Sequence, residues 1–109
     1  MTSVKDPSHL YKVEHRARHA ERPGFRITEL RISPTQFVPW HSHDNVIDTF
    51  YVLEGEIEVS VKNPEEKIVL GKHEIYSVPA GRPHHVVNSS DSSTTFLVLQ
   101  GGVDYNYRT

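Results

Sequence analysis

Residues 56–62 read Glu56-Ile57-Glu58-Val59-Ser60-Val61-Lys62, an alternation of polar and apolar side chains. In an extended strand successive side chains leave opposite faces, so the three apolar side chains are predicted to face a core and the others water. A shift of one residue would expose the whole apolar set, and the register of such a strand is therefore well specified. The stretch predicts one strand of an antiparallel sheet.

Short β-branched and aromatic runs lie on both sides of this strand. Turn residues such as Gly55 and the segment 63–66 separate them. These links are too short for parallel crossovers, which need a dozen or more residues. Eight strands are predicted, at residues 25–33, 36–38, 49–53, 56–62, 67–70, 74–78, 84–88 and 94–100. The pattern indicates an all-β fold, with an antiparallel jelly-roll β-barrel favoured.

Residues 1–24 differ from the rest of the chain. They are charged, lack a clean apolar period and are interrupted by Pro7 and by Pro23-Gly24. We expect an irregular N-terminal arm that packs on a partner subunit, followed by a single barrel domain over residues 25–109. A small barrel with free strand edges and such an arm favours a homodimer.

Composition excludes several classes of function. The chain has 109 residues, enough for one core, and a formal net charge of -2 without a long basic run, which argues against nucleic-acid binding. The absence of cysteine excludes disulfides, thiolate metal sites and cysteine nucleophiles. Because neither a signal peptide nor a membrane span is evident, we expect a soluble cytoplasmic protein that does not bind membranes.

Eight histidines are the unusual feature of this composition. In His41-Ser42-His43 the two imidazoles leave the same face of an extended strand and can converge on one ion. With eight histidines in the chain, about 0.6 such pairs are expected by chance, so the pair needs support from its context.

The context is a set of spacings in two segments. Asp48 follows His43 after four residues, and Gly55 follows after six more. The second segment reads Pro79-Ala80-Gly81-Arg82-Pro83-His84-His85-Val86-Val87-Asn88. Over residues 35–88 these elements resemble the two motifs of the cupin family, whose fold is a jelly-roll barrel.

The sequence departs from the family motifs at three positions. Thr35 and His73 stand where the first and second motifs open with glycine, and Asp48 replaces the glutamate of the first motif. The resemblance implies that His41, His43 and His84 are imidazole ligands of one divalent metal ion, with Asp48 in the carboxylate position. Asp48 is one methylene shorter than glutamate, which leaves two alternatives: a direct metal ligand, or an acceptor that fixes the tautomer of a ligand histidine.

The side chains of His84 and His85 point to opposite faces of a strand, so only one of them can be a ligand. Phe50 and Val52 share the parity of Asp48 and are predicted to wall a substrate cavity, with core packing as the alternative. Tyr76 and Phe96 lie on strands that the family uses to line its cavity. Arg82, beside Gly81, is a candidate for attracting a carboxylate.

The resemblance implies a metal-dependent enzyme acting on a small molecule. A dioxygenase-like reaction on an oxo-acid, diketone or enol is favoured, with Fe as the metal and Mn, Ni, Co, Cu or Zn as other possibilities. The alternatives are an isomerase, epimerase or lyase acting on a sugar-like or carboxylate substrate, and a non-catalytic metal-dependent binding module. Fold alone does not decide among them.

Overall fold

The structure is a computed structural model and describes residues 11–102. Over this range the chain forms nine strands: β1 (His15–Arg22), β2 (Phe25–Ile32), β3 (Phe37–His41), β4 (Val46–Glu54), β5 (Ile57–Val61), β6 (Glu66–Leu70), β7 (Ile75–Val78), β8 (His84–Asn88) and β9 (Thr94–Gly102). One sheet has the order β1-β2-β9-β4-β7 and the other β3-β8-β5-β6, with antiparallel pairing throughout. The predicted all-β antiparallel jelly roll is confirmed. Within the same range, no helix is long and apolar enough to cross a membrane.

The hydrophobic core lies between the two sheets. Ile57, Val59 and Val61 are fully buried on β5, as their alternation predicts. The five-stranded sheet contributes Phe50 and Phe96, which are also almost completely buried and pack ring against ring. Burial of these side chains removes a large apolar area from water and supplies the main stabilisation of the fold.

Gly55 makes the tight turn between β4 and β5. Its φ is +93°, and a Cβ at this position would collide with the side chain of Thr94. The Thr94 hydroxyl binds both backbone groups of Glu56, at 3.1 and 3.2 Å. Glycine is therefore required at position 55 both for its positive φ and because the Thr94 side chain leaves no room for a Cβ.

The prediction of an irregular segment was wrong for residues 15–22, which form β1. Arg16 is paired with Leu30 and Arg18 with Thr28 on β2. Pro23-Gly24 turns the chain between the two strands, with Gly24 at φ +78°. The apolar alternation that identifies a strand is missing because the inward positions of β1 are arginines. Residues 1–10 lie outside the described residues, so the expected packing of the arm on a partner subunit stays a prediction.

The sheet order also bears on the expected homodimer. Over residues 11–102, the strands β1, β7, β3 and β6 end the two sheets. Open strand edges favour pairing with a second chain. We expect light scattering at micromolar concentration to give twice the chain mass of 12.5 kDa. A mass of one chain at this concentration, which deletion of residues 1–10 does not change, would contradict this prediction.

Candidate metal centre

Four potential metal-binding side chains meet between the two sheets. His41 ends β3 and is the register partner of His84 at the start of β8. His43 follows β3 in the connection to β4, and Asp48 lies on β4 in the opposite sheet. All four residues are buried, and one ligand atom from each lies within 4.8 Å of the others. The structure therefore brings together the candidate ligands of the two sequence segments, residues 41–48 and 79–88.

The loop 79–83, which precedes His84, is hydrogen-bonded to the segment that carries His43. The Gly81 amide, in a residue with φ +80°, donates to the His43 carbonyl at 2.6 Å. The Arg82 side chain donates to the carbonyls of Lys62 and Pro64 and to the carboxylate of Glu66, at 2.8–2.9 Å. Arg82 thus stabilises the loop that precedes His84. It does not line the cavity beside the cluster, where it was a candidate for attracting a carboxylate.

Backbone carbonyls select the tautomer of two of the histidines. Nδ1 of His41 donates to the Pro39 carbonyl at 2.8 Å, and Nδ1 of His84 donates to the Arg82 carbonyl at 2.9 Å. In a neutral imidazole this leaves Nε2 unprotonated, with a lone pair that can bind a metal. Burial lowers the pKa of His41, which favours the neutral form that can bind a metal. Such backbone contacts commonly orient metal-binding histidines.

Asp48 occupies the centre of the cluster. Its Oδ2 lies 2.9 Å from Nε2 of His84, 3.1 Å from Nε2 of His43 and 3.7 Å from Nε2 of His41. Burial alone would raise the pKa of Asp48, but in the metal-free protein protons shared with the neighbouring imidazoles outweigh it and hold the pKa well below the usual range, in the place that a metal cation would take. The Gln100 amide donates to the other oxygen, Oδ1, at 2.9 Å. Asp48 is therefore an ionised carboxylate with one oxygen held by Gln100 and the other directed at the imidazoles.

The donor set fits a divalent cation. Two ligands that bind one ion at about 2.1 Å, at angles of 90–109°, lie about 3.0–3.4 Å apart. The distances from Asp48 Oδ2 to the three nitrogens fall close to this interval. With Nδ1 of His84 protonated, Nε2 and the carboxylate oxygen present facing lone pairs, which a cation between them would satisfy. His41, His43, His84 and Asp48 could therefore hold a metal ion.

A cavity that is partly open to solvent adjoins the cluster. His41, His43 and Asp48 form part of its wall, and Phe50 contributes an apolar surface, as its parity predicts. The other three residues predicted to line the cavity lie elsewhere. Val52 and Phe96 are completely buried in the core, and Tyr76 packs against it.

Sequence reasoning missed a polar row that crosses the larger sheet. Arg26, Gln100 and Asp48 are register partners on β2, β9 and β4. Nε of Arg26, a residue only 2% exposed, donates to Gln100 Oε1 at 2.8 Å. Strand parity could have identified both residues, because Arg26 alternates in phase with buried Leu30, and Gln100 with buried Phe96.

Histidines outside the cluster occupy other environments. His85 points away from His84 and stacks on the Trp40 ring at 5.3 Å, and burial lowers its pKa. His73 lies in the turn between β6 and β7 with φ +69°. The left-handed conformation explains why the family motif has glycine at this position.

Comparisons with known proteins agree with this architecture. The cupin domain family matches residues 28–100. No curated protein matches the chain. The solved structure of TT1209 from Thermus thermophilus is 28% identical, with a TM-score of 0.73, and the match covers 93% of this chain and 98% of that one.

Two further solved structures share the fold at lower identity. The polyketide cyclase RemF from Streptomyces resistomycificus is 24% identical with a TM-score of 0.73, covering 86% of this chain and 68% of that one. An oxalate oxidase is 19% identical with a TM-score of 0.71, covering 78% of this chain and 45% of that one. Their names describe different chemistry, so similarity of fold leaves the reaction open.

Proposed function

This chain belongs to the cupin family, and from this premise we propose that it is a metal-dependent enzyme acting on a small oxygen-rich molecule. The observation that carries the proposal is the buried cluster of three imidazoles and one carboxylate beside a cavity. The favoured substrates are an oxo-acid, a diketone or an enol, which can offer two oxygens to one ion. A dioxygenase-like reaction is the leading version.

A divalent ion at this centre would supply a Lewis acid and, if it is Fe(II), chemistry with dioxygen. Three neutral imidazoles and one ionised carboxylate would leave the ion with a net charge of about +1. The backbone contacts of His41 and His84 keep the imidazoles in the metal-binding tautomer. Phe50 and the other apolar wall residues would give a bound molecule an apolar surface to pack against.

Two alternatives use the same centre. An isomerase, epimerase or lyase would move a proton or cleave a bond in the bound molecule without consuming dioxygen. A binding module would retain the molecule unchanged. These alternatives differ from the leading version in product and in oxygen consumption, which gives a direct test.

We expect protein loaded anaerobically with Fe(II) to consume dioxygen when it is mixed with oxo-acids, diketones and enols. An oxygen electrode measures the uptake, and mass spectrometry identifies an oxygenated product. Protein loaded with Zn(II) is the matched control, since it should bind the same molecule without oxygen uptake. Product formation without oxygen uptake would favour an isomerase or lyase, and saturable binding without product would favour a binding module.

A further inference from the structure

The outer face of the five-stranded sheet is apolar, like its inner face. On β9, Phe96 and Val98 point into the core, and the alternate side chains Leu97 and Leu99 point outward. Outward side chains of the neighbouring strands extend this surface. The outer sheet face is formed mainly by Phe25, Ile27, Ile47, Ile75, Leu97 and Leu99. An antiparallel sheet with one face in water normally alternates apolar and polar side chains, so strands that are apolar on both sides are typical of a sheet that is covered on both sides.

Several side chains of the outer sheet face are exposed to solvent. The exposed fraction is 49% for Ile47 and 61% for Ile75, and Phe25 is also exposed. Leu97 and Leu99 are half-buried. Single exposed apolar side chains are common on proteins, but a contiguous apolar patch marks an interaction site. The outer sheet face is therefore a candidate interaction surface.

Charged side chains lie toward one margin of this face. The middle strand of the sheet is β9, and its neighbour on one side is β4. Within residues 47–51 and 97–101, none of the outward positions on these two strands carries a charge. Glu29 and Arg31 lie on β2, on the other side of β9. A centre without charges and a polar rim are typical of protein interfaces.

The polar groups on the outer sheet face already have partners. The hydroxyls of Thr49 and Ser77, on adjacent strands, lie 2.7 Å apart and form a hydrogen bond. The Glu29 carboxylate contacts the imidazole of His19 at 2.8 Å. Burying a polar group is costly mainly when it loses its hydrogen bonds, so covering this face would cost little.

The face is large enough for a stable dimer. Five strands about 4.8 Å apart span about 24 Å, and eight residues at about 3.3 Å each give a length of about 26 Å. The face therefore covers about 600 Å² on each chain, and two such faces in contact would bury about 1,200 Å². This total reaches the range of specific protein interfaces, which is about 1,200–2,000 Å².

A second copy of the chain fits this face better than the terminal segments do. Residues 1–10 and 103–109 lie outside the described range. An extended segment covers a strip of roughly 5–10 Å, whereas the face is about 24 Å wide. Two copies related by a two-fold axis present the same surface to each other. A face whose centre is uncharged meets that condition without placing like charges opposite one another.

We propose that two copies of this chain associate through their outer sheet faces, with β9 of each copy near the two-fold axis. Sheets that pack face to face lie about 10 Å apart with their strands rotated by about 30°, which lets the side chains of the two faces interdigitate. Contact between strand edges would give the same number of copies through different residues. Asp48 points to the opposite side of β4, toward the metal centre, so this contact and metal binding can be tested independently.

Substitution by lysine tests the contact. Ile47→Lys and Leu97→Lys each place two charges in the interface, one from each copy, and we expect sedimentation equilibrium to show self-association weakened at least about 100-fold. Val69→Lys is the matched control, because Val69 is 52% exposed on the outer face of the other sheet, where Glu58 and Lys67 lie beside it. Its self-association should stay within twofold of wild type. Unfolding curves confirm that each variant folds, and Ile47 is exposed enough for lysine to be accommodated in a single chain.

Thiol labelling identifies what covers the face. The chain has no cysteine, so an introduced one reports on its own position alone. Ile47→Cys should react with a maleimide more slowly as the protein concentration rises and dimers form, whereas Val69→Cys should react at the same rate throughout. Slow labelling of Ile47→Cys that does not depend on concentration would mean that the same chain covers the face, and would overturn the proposal.

Two further outcomes would also overturn it. One is a wild-type protein that has the mass of a single chain at high micromolar concentration. The other is a dimer that persists in both Ile47→Lys and Leu97→Lys, which would place the contact elsewhere, such as at the edge strands β1, β7, β3 and β6. Loss of the dimer in both variants, together with its retention in Val69→Lys, would support the outer sheet face as the interface.

Discussion

Replacing His84 with alanine should remove most of the affinity for a divalent metal ion, while replacing His85 with alanine should not. Nε2 of His84 faces the carboxylate of Asp48 at 2.9 Å, inside the cluster of four donors. His85 is the next residue along the strand, but its ring lies on the opposite face against Trp40. Outer-shell changes typically weaken metal binding by about 10- to 100-fold, so loss of a direct ligand should exceed about 100-fold.

Metal titration followed by elemental analysis would measure this difference, with thermal unfolding of the metal-free variants as the check on folding. His84 is buried beside the Phe50 ring, and its truncation leaves space in the core. His84→Gln keeps more of the side-chain volume and should show a similar loss of metal affinity. Equal losses in the His84 and His85 variants would mean that metal binding does not depend on the cluster of His41, His43, Asp48 and His84.

Alternation and spacing were sufficient to predict most of the fold from the sequence. Ile57, Val59 and Val61 define the buried face of β5, and turn residues delimit its neighbours. Strand β1 has no such alternation, because its inward side chains Arg16 and Arg18 are charged. A strand whose inner face lines a polar cavity lacks the alternation of apolar and polar side chains. Such a strand therefore cannot be recognised from that alternation.

Prediction of the cavity wall shows a second physical limit. Strand parity correctly places Asp48, Phe50 and Val52 on one face of β4, and all three are buried. Parity does not specify how far along the strand the core gives way to the cavity. Phe50 borders the cavity and Val52 lies in the core, a distinction set by the positions of both sheets and by side-chain volumes from other strands.

The sequence leaves two roles open for Asp48, and of these we expect direct metal binding. The side chain is one methylene shorter than the family's glutamate, yet Oδ2 lies 2.9–3.7 Å from Nε2 of all three histidines. The tautomers of His41 and His84 are fixed by backbone carbonyls, so those two rings do not require Asp48 for that purpose. We therefore expect Asp48 to contribute a fourth ligand and a negative charge, although its contact with His43 also fits the orienting role.

Asp48→Asn should therefore weaken metal binding by more than about 100-fold, since it removes the charge and keeps the shape. Gln100→Leu is the comparison variant, because Gln100 contacts the other carboxylate oxygen without being one of the four donors, although it also accepts from Arg26 and lies beside His43. Its effect should stay within the roughly 10- to 100-fold range of outer-shell changes. Asp48→Glu keeps the charge and should retain more metal affinity than Asp48→Asn.

Metal titration of the three variants, with unfolding curves to confirm that each folds, decides between the two roles. If Asp48→Asn costs no more affinity than Gln100→Leu, Asp48 acts from outside the coordination sphere, and three imidazoles alone hold the ion. The ion would then carry a net charge of about +2 instead of +1, act as a stronger Lewis acid and offer an additional open position to the substrate. Whether Asp48 binds the ion directly would thus determine both the charge on the metal and the number of positions open to a substrate.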